Sequence, residues 1–557
     1  MAPGNLEHQR SGLVWNPDNY IYQTVDPVRF QYKGGMLRAD SLPSGSRGQW
    51  GLTFDNYGRL FFSNAGGENA GNGFQINPAY GQLDFPDAYD ESTFAPVWSS
   101  ISNPDVQGGP KRLRQDSTLN HFTAGNGQSI FRGDRLPEDL RGDYLICEPV
   151  ARIVRRAKVI NREGKIYLEN VYRNKEFISS TDFFFRPVNT FTGPDGCLYI
   201  IDMNRGIIQE SNWTGRGSFL RGKIQQYGLD KIRQRGRIWR LVHDGYKRGA
   251  KPKMLDVAAS KLIQYLDHPN GWWRDNAQKQ IVLLQDRSVI PELKQVVAGN
   301  KGISALGRLH ALWTLEGLEG IDKSTLFAAL KDKDAQVRRA AIRNSEPLLK
   351  QNDIELLAKA GELASDENFD VLTQLVLSLQ SIQNERAREI VRQILAKYPN
   401  NQMLSSAKAA VDKNEGIKQY GSKLGRFAAT ERKLILDGAV IYKSMCAACH
   451  GTDGKGLPTQ AAPPLTGAKY LVGDKTHAIK ILLNGLKGEV EGKTYSSEMP
   501  AMKDNSDEWI ASVLSYTRYE FGAKNRETIP VKPDEVKALR NQFANRLDPW
   551  TVPELEK

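Results

Sequence analysis

The pattern of hydrophobic and polar positions divides the 557 residues of the chain into four parts. Residues 1–245 carry short apolar stretches joined in pairs by turns rich in Asp, Asn and Gly, which is typical of β-hairpins. Residues 251–418 change to a helical period, and residues 431–522 have a predicted amphipathic helix at each end. Residues 523–557 are predicted to form a polar C-terminal tail. We therefore expect a multidomain protein.

The paired apolar stretches of the first part recur along the chain. Three copies place a tight turn between aromatic and β-branched segments, at residues 13–22, 51–62 and 188–200. A further predicted strand pair covers residues 143–147 and 151–155. Repeats of this kind are typical of the blades of a β-propeller.

The helical middle part also contains a repeat. Three stretches align loosely, at residues 272–277, 306–311 and 337–341, and a weaker fourth copy covers residues 366–382. The spacing of about 30 to 34 residues resembles that of HEAT-like repeats, which stack helix pairs into a solenoid. The pattern carries no visible chemistry, so we interpret residues 251–418 as a spacer that positions the last domain.

Composition narrows the class of protein. Hydrophobic residues make up 40% and charged residues 25% of the chain, as expected for globular domains, and the net charge is +12. The positive charges are scattered, which indicates a basic surface rather than a nucleic-acid module, although a basic rim could steer an acidic redox partner. No apolar run approaches the roughly 20 residues of a membrane span. We therefore expect neither a nucleic-acid partner nor a transmembrane segment.

The strongest chemical signal is Cys446-Ala447-Ala448-Cys449-His450, which has the c-type haem attachment spacing. Two thiols on one helical turn can form thioethers to the two vinyl groups of one haem. The next residue can place its imidazole under the iron as the proximal ligand. A methionine as the second axial ligand raises the potential into a range useful for electron transfer.

Two other interpretations of a C-x-x-C pair are a zinc site and a dithiol redox site. Zinc would need two more Cys or His ligands at comparable spacing, and only His477 is near. A thioredoxin-type motif would need a preceding strand and would leave His450 without a role. The sequence favours one covalent haem c.

Residues 431–522 resemble a class I cytochrome c domain, an all-α fold. The resemblance rests on the attachment signature, on prolines after it, and on the stretch Ser497-Glu498-Met499-Pro500-Ala501-Met502. It implies that Met499 is the distal iron ligand, with Met502 as the alternative. It also implies that Pro464 supplies a carbonyl oxygen to the proximal imidazole.

The first part resembles the glucose/sorbosone dehydrogenase-type propeller of PVC-type, or membrane-bound dehydrogenase-like, haem proteins. That family joins such a propeller to a cytochrome c domain, in the same order as here. The matching stretches are Glu7-His8-Gln9, Arg132-Gly133-Asp134, Cys147-Glu148-Pro149, Phe185-Arg186-Pro187, Asp202 to Ile208 and Gly236 to Arg240. In that family the His-Gln pair sits well inside the propeller, so the resemblance implies a partial, N-terminally truncated propeller here.

The resemblance also implies a candidate active site. In soluble quinoprotein glucose dehydrogenases a histidine of this motif is the general base for hydride transfer to pyrroloquinoline quinone, and His8 is the matching position. Arg47 matches a cofactor-side arginine. The chain departs from that family at Gly48 and at Gly66-Gly67, which stand where the family has an asparagine and a Gly-Pro near calcium. The alternative is that His8 and Arg47 are hydrogen-bonded loop residues.

Additional candidates in the first part are His121, Asp202 and Arg205. Cys147 and Cys197 lie on predicted strands, where they are either buried thiols or a disulfide.

The sequence is compatible with two functions from different classes. In the first, haem c accepts electrons from a sugar or alcohol oxidised at the propeller and passes them to a redox partner or respiratory acceptor. In the second, the propeller performs no chemistry and binds carbohydrate or a protein. No signal peptide is recognisable at residues 1–5, although haem attachment normally takes place outside the bacterial cytoplasm. We therefore expect a periplasmic or extracytoplasmic protein whose chain here lacks its true N-terminus.

Overall fold

The computed structural model divides the chain into two compact units, Met1–Val411 and Asp412–Lys557. Each unit is described by itself. The residues that the structure describes are 11–42, 48, 50–63, 74–80, 83, 85, 94–208, 214–247, 249–299, 302–457, 462–495, 498–522 and 529–556.

The first unit begins with four small antiparallel sheets among its described residues, and within each sheet the strands follow one another in chain order. Sheet 1 contains β1 (Val14–Trp15), β2 (Tyr20–Tyr22), β3 (Val28–Lys33) and β4 (Met36–Ser41). Sheet 2 contains β5 (Leu52–Phe54), β6 (Leu60–Phe62) and β7 (Gln75–Ile76). Sheet 3 contains β8 (Asn126–Ile130), β9 (Tyr144–Glu148), β10 (Ile153–Arg162) and β11 (Lys165–Asn170), with β12 (Ile178–Ser179) also paired to β10. Sheet 4 contains β13 (Pro187–Thr192), β14 (Leu198–Asp202) and β15 (Arg237–Leu241).

The four sheets pack face to face in chain order through apolar side chains. Tyr22 of sheet 1 shares a cluster with Leu60 of sheet 2. Phe61, on the other face of β6, packs against the face of sheet 3 that carries Tyr144 and Ile146. The remaining face of sheet 3 packs on Leu198 and Ile200 of sheet 4. Alternation of side chains along each strand gives every internal sheet two buried faces.

The outward faces of sheets 1 and 4 carry partly exposed apolar side chains, and the face of sheet 4 also carries Arg240. In sheet 4, cross-strand pairing puts Phe191 beside Tyr199 and Ile201 beside Ile238 on one face, and Phe191 and Ile238 are 51% and 70% exposed. In sheet 1 the corresponding face carries the pairs Trp15–Ile21, Ile21–Phe30 and Tyr32–Leu37. The described strands form no closed barrel or propeller, so the predicted propeller fold is confirmed only as a sheet-rich region.

The rest of the first unit is helical, as predicted for residues 251–418. After α1 (Phe219–Tyr227), the helices are α2 (Ala259–Leu262), α3 (Gly271–Leu284), α4 (Ile290–Val297), α5 (Ala305–Gly317), α6 (Lys323–Leu330), α7 (Ala335–Leu349), α8 (Ile354–Gly361), α9 (Phe369–Gln380), α10 (Glu385–Lys397) and α11 (Gln402–Tyr420). The unit boundary after Val411 falls within α11. Many begin at a side chain that accepts a backbone N–H, which satisfies the open helix end. These N-caps are Asn270, Ser304, Asp322, Asp334, Asp353, Asn368 and Asn384.

Neighbouring helix pairs are joined by a repeated ion pair. Arg308 Nε lies 2.6 Å from Asp332, and Arg338 Nε lies 2.7 Å from Asp366. Each arginine therefore contacts an aspartate in the turn before the next helix pair.

The helical region contacts the hairpin turns that the sequence pattern predicted. Gln278 donates to the carbonyl oxygen of Pro17 at 2.6 Å, and Asn270 donates to that of Gly193 at 2.9 Å. Asn56 accepts from Arg274 at 2.5 Å. The helices therefore pack against the sheets. The interpretation of residues 251–418 as a spacer did not include these contacts.

The second unit is helical. It contains α12 (Ala429–Ile441), α13 (Ala447–His450), α14 (Lys469–Val472), α15 (Lys475–Asn484), α16 (Asp507–Glu520), α17 (Pro533–Gln542) and α18 (Val552–Leu555). Residues 548–556, the end of the predicted polar C-terminal tail of residues 523–557, pack on the unit, with Trp550 6% and Leu555 2% exposed. Only a few apolar side chains anchor this polar segment.

Candidate functional site

The C-x-x-C-H segment lies at the end of a long helical stretch. α12 continues into a π-helical turn at Tyr442–Cys446, and α13 completes the segment. Such π-turns occur frequently at functional sites. Cys446 is half-buried and Cys449 is exposed. Because residues three apart on a helix are neighbours on its surface, the two thiols can reach one flat ligand.

The thiols do not have the properties of a redox or zinc site. Burial raises the pKa of the Cys446 thiol to about 11, and the adjacent Cys449 adds to the shift. A dithiol redox site needs a lowered pKa, so that the reactive thiolate forms near neutral pH. No group of three or more His, Cys, Asp or Glu side chains within the described parts of the chain could hold a metal ion. His477 packs its ring on Tyr470, with 6.0 Å between centroids.

The His450 imidazole is buried and oriented. Its Nδ1 lies 2.9 Å from the carbonyl oxygen of Pro463. Since a carbonyl can only accept, Nδ1 carries the proton and Nε2 keeps the lone pair that a metal ion needs. Burial lowers the pKa of His450, which also favours the neutral ring. The prediction that the carbonyl oxygen of Pro464 accepts this hydrogen bond is wrong by one residue.

A cavity of about 410 Å³ brings the predicted residues together. Cys446, Cys449, His450, Met499 and Met502 all line it. The rest of the wall is largely apolar and includes Leu465, Leu471, Ile481, Leu482, Val513 and Leu514. A porphyrin is a large apolar plate, and cavities of this size and lining typically hold organic cofactors. Two thiols, an imidazole nitrogen and thioether sulfurs fit a covalent haem.

The segment that carries the two methionines is fixed by backbone pairing. Met499 N donates to Leu486 O at 3.0 Å, and Leu486 N donates to Met499 O at 3.1 Å. Gly485, at φ +85°, permits this approach, since a Cβ there would lie 2.6 Å from Met499 O. Met502 N donates to Leu482 O at 2.8 Å. Both methionines therefore have a defined backbone position at the cavity wall, and the choice between them as iron ligand stays a prediction.

The first and last helices of the predicted cytochrome domain cross closely behind the cavity. A Cβ on Gly438 of α12 would overlap the backbone oxygen of Ser512 in α16, so only glycine permits this approach. Tyr442 is fully buried and donates to Gly451 O at 2.6 Å. Its ring packs 5.1 Å from that of Phe521. This crossing holds the cysteine-bearing turn against the rest of the unit.

Of the predicted site residues of the first unit, the structure describes His121, Asp202 and Arg205. His8 and Arg47 lie outside the described residues. His121 is half-buried, with Nδ1 beside Asn120 Oδ1. The Arg205 carbonyl accepts from the Arg186 guanidinium at 3.1 Å.

Asp202 is buried and its carboxylate already has several donors. Oδ1 accepts from the backbone N–H of Arg186 and of Asn204, both at 2.8 Å. Oδ2 accepts from Arg237 Nε at 2.7 Å and from the indole N–H of Trp239 at 3.0 Å. A carboxylate with this many donors stabilises the fold, and we assign Asp202 a structural role.

A buried charge network that the sequence analysis missed lies beside Asp202. The Asp105 carboxylate pairs with both Arg152 and Arg186, and all three side chains are almost fully buried. Burial opposes ionisation, but Arg186 and Arg152 together hold the pKa of Asp105 below its usual range. Arg186 belongs to the quoted Phe-Arg-Pro stretch, but its partners are far away in sequence, so no local pattern could identify them.

Comparisons with known proteins match the two ends of the chain. Residues 433–516 match the family described as cytochrome C oxidase, cbb3-type, subunit III. The C-terminal unit contains a cytochrome c domain. This domain indicates electron transfer through haem c and, with it, a redox partner; it is also typical of extracytoplasmic proteins. Residues 1–245 match a family described as a domain of unknown function, DUF7133.

Two further comparisons cover curated proteins and solved structures. No curated protein matches it. A solved structure described as a putative oxidoreductase (glucose dehydrogenase) from Thermus thermophilus is 14% identical, covering 37% of this chain and 81% of that chain, at a TM-score of 0.21. That TM-score is too low to carry an argument about fold or activity. Among the described residues no helix is long and apolar enough to span a membrane.

Proposed function

We propose that the protein transfers electrons through one covalent haem c held in the cavity of its C-terminal unit. Cys446 and Cys449 bind the porphyrin, His450 supplies the proximal nitrogen, and Met499 supplies the distal sulfur, with Met502 as the alternative. A bound haem would supply a one-electron Fe(III)/Fe(II) couple. The observation that carries this proposal is the convergence of all five side chains on one apolar cavity.

The residues of this chain set the conditions for that couple. Pro463 fixes the tautomer and orientation of the His450 ring, which raises the basicity of its free nitrogen. The wall is largely apolar, and low polarity around an iron site favours the form with less charge. Together with a thioether ligand, these features favour a potential suited to a respiratory partner.

The experiment is a pyridine haemochrome spectrum of protein produced with a haem c maturation system outside the cytoplasm. We expect one haem per chain, retained after extraction with acidic acetone because thioether bonds survive it. Pigment that passes into the solvent, or a colourless protein, would contradict the proposal.

As the source of electrons we propose oxidation of a sugar or alcohol at the sheet-rich region, interpreted as a partial propeller whose helical neighbour consists of HEAT-like repeats. This rests on the resemblance of the first 245 residues to quinoprotein sugar dehydrogenases. His8 would take the substrate proton and Arg47 would contact the quinone. Pyrroloquinoline quinone and calcium are the cofactors that the resemblance implies, and the periplasm is the compartment.

The test is reconstitution of the full chain with pyrroloquinoline quinone and calcium, followed by addition of a sugar or alcohol. Reduction of haem, seen as sharpening of its visible bands, is expected in the parent protein and lost in His8→Ala. A chain that carries haem but is never reduced by any such substrate would exclude the dehydrogenase and leave electron transfer intact.

The second candidate function is a non-catalytic propeller that binds carbohydrate or a protein. One observation favours a protein as the partner. The outward faces of sheets 1 and 4 carry partly exposed apolar side chains, among them Phe191 and Ile238, which are 51% and 70% exposed. Exposed apolar patches of this kind mark interaction surfaces. The partner we infer is a β-sheet with an apolar face, which would continue the stacking of the four sheets.

This second candidate is tested with an environment-sensitive hydrophobic dye and light scattering. We expect a monomer that binds the dye, with much weaker binding in Ile238→Lys. Ile354→Lys, which changes a 76% exposed isoleucine of the helical region, is the matched control. A dimer that Ile238→Lys dissociates would instead identify a second copy of the chain as the partner. Equal dye binding in both variants would exclude the surface.

A further inference from the structure

The part of the chain beyond the matched cytochrome segment contacts the methionine-bearing stretch from two sides. We call residues 533–556 the C-terminal clamp. It follows the region matched by the cytochrome family, which ends at residue 516. The methionine-bearing stretch lies between the end of α15 at Asn484 and the start of α16 at Asp507. A connection of this length without helices needs outside contacts to keep one conformation.

The first attachment is made by Arg540 at the end of α17. Its Nε donates to Asp507 Oδ1 at 2.7 Å, and a terminal nitrogen donates to Asn505 O at 2.8 Å. A further hydrogen bond from the same guanidinium reaches the carbonyl oxygen of Lys503. The Arg540 side chain therefore holds Lys503, Asn505 and Asp507, which follow shortly after Met502.

The second attachment is a short backbone ladder at Trp550. Trp550 N donates to Gly485 O at 3.0 Å, and Lys487 N donates to Trp550 O at 2.8 Å. Leu486, between those two residues, exchanges both of its own backbone hydrogen bonds with Met499. The backbone of Leu486 thus lies between that of Trp550 on one side and that of Met499 on the other.

Trp550 is itself held rigidly. Its indole is 6% exposed, with the Arg546 guanidinium 3.6 Å from the ring centroid and Phe543 edge-on at 5.1 Å. Arg546 also pairs with Glu554 at 2.9 Å. Glu556 accepts from the hydroxyl of Tyr470, a residue of the cavity wall, at 2.6 Å. The clamp is therefore a packed structure with anchors on both sides of the cavity wall.

We propose that the C-terminal clamp keeps the distal methionine in its ligating position, and that Trp550 and Arg540 are positioning residues for it. This rests on the proposed haem function. Pairing through Leu486 removes conformations in which the Met499 backbone moves away from the cavity. Without it, the stretch would spend more time open, and an external ligand could take the distal position. The apparent affinity for such a ligand rises with the open fraction.

The test is titration of the full-length, haem-loaded ferric protein with imidazole, followed in the Soret band. Trp550→Ala is expected to bind imidazole about tenfold or more tightly than the parent, which corresponds to about 1.4 kcal/mol. The near-infrared methionine–iron band should weaken in parallel. Leu547→Ala, which truncates an 84% exposed side chain of the same clamp, is the matched control and should match the parent in both measurements.

Two further variants separate positioning from general damage. Trp550→Phe keeps an aromatic ring and the backbone ladder, and removes an indole N–H without a hydrogen-bond partner among the described residues, so it should restore parent behaviour. Arg540→Gln cuts the other attachment, where the arginine side chain is 27% exposed, so the domain should still fold. It should also bind imidazole more tightly. If Trp550→Ala unfolds the domain, the Arg540→Gln titration decides.

The outcomes are distinguishable. Parent-like imidazole affinity in both Trp550→Ala and Arg540→Gln would overturn the clamp while leaving the haem function intact. A parent protein without a pyridine haemochrome would instead overturn the proposed function itself. Equal tightening in Leu547→Ala would also overturn the clamp, since that side chain makes no anchoring contact.

Discussion

The two units use their polar side chains in opposite ways. In the C-terminal unit, the side chains of Cys446, His450 and Met499 line one largely apolar cavity. Nδ1 of His450 is hydrogen-bonded, which leaves Nε2 available to bind a metal ion. In the first unit, the buried charges of Asp105 and Asp202 are matched by arginines and backbone donors. Donor atoms left over at a cavity indicate chemistry, whereas mutually satisfied donors and acceptors indicate stability.

The comparison also explains why a stretch that resembles an enzyme family is not by itself evidence of a catalytic site. Asp202 and Arg186 belong to stretches that resemble a dehydrogenase, yet their side chains hold sheet 4 and its neighbours together. The two residues expected to act, His8 and Arg47, lie outside the described part of the chain, so their roles stay predictions.

The largest expected effect concerns the cysteines of the two units. Replacing Cys446 and Cys449 together by Ala should abolish covalent haem, because no other thioether can form in the cavity. Cys147→Ala and Cys197→Ala are the matched controls, since both are buried thiols rather than the alternative disulfide. The readout is haem-dependent peroxidase staining after denaturing electrophoresis. Staining that disappears in a control, or persists in the double variant, would contradict the assignment of covalent haem to Cys446 and Cys449.

Next in size is the distal ligand. Met499→Ala should abolish the near-infrared methionine–iron(III) band, and Met502→Ala should leave it in place. Both side chains line the cavity, so each variant removes a similar apolar volume and the pair is internally controlled. The reverse result would assign the iron to Met502.

A third effect should appear only in the first unit. Asp105→Asn leaves the buried Arg152 and Arg186 without their shared counter-charge, which should cost about 3–5 kcal/mol of unfolding free energy. Chemical denaturation followed by tryptophan fluorescence measures it, and the haem spectrum should not change. Asp116→Asn, at an exposed carboxylate of the same unit, is the control. An altered haem spectrum in Asp105→Asn would show that the network serves more than the fold.

The smallest effect is a pH dependence of that same network. Because the folded-state pKa of Asp105 lies below the ordinary value of about 3.9, the unfolded chain takes up this proton first as the pH falls. The stabilisation is fully present above about pH 4 and is lost as the pH approaches the folded-state pKa. The difference in unfolding free energy between the parent and Asp105→Asn should therefore shrink below about pH 4. A difference independent of pH would contradict the ion pairs.

The sequence by itself determined the change from hairpins to helices and the position of the C-x-x-C-H segment, with its two thiols and its imidazole. Each of these depends on local spacing: two residues between thiols, a period of two or 3.6, a capping side chain before a helix. Only the tertiary structure decided that Pro463 rather than Pro464 orients His450, that Asp105 shares two arginines, and that residues 548–556 pack against the methionine-bearing stretch. These contacts join residues that are separated along the chain, and local patterns do not describe which of them the fold brings together.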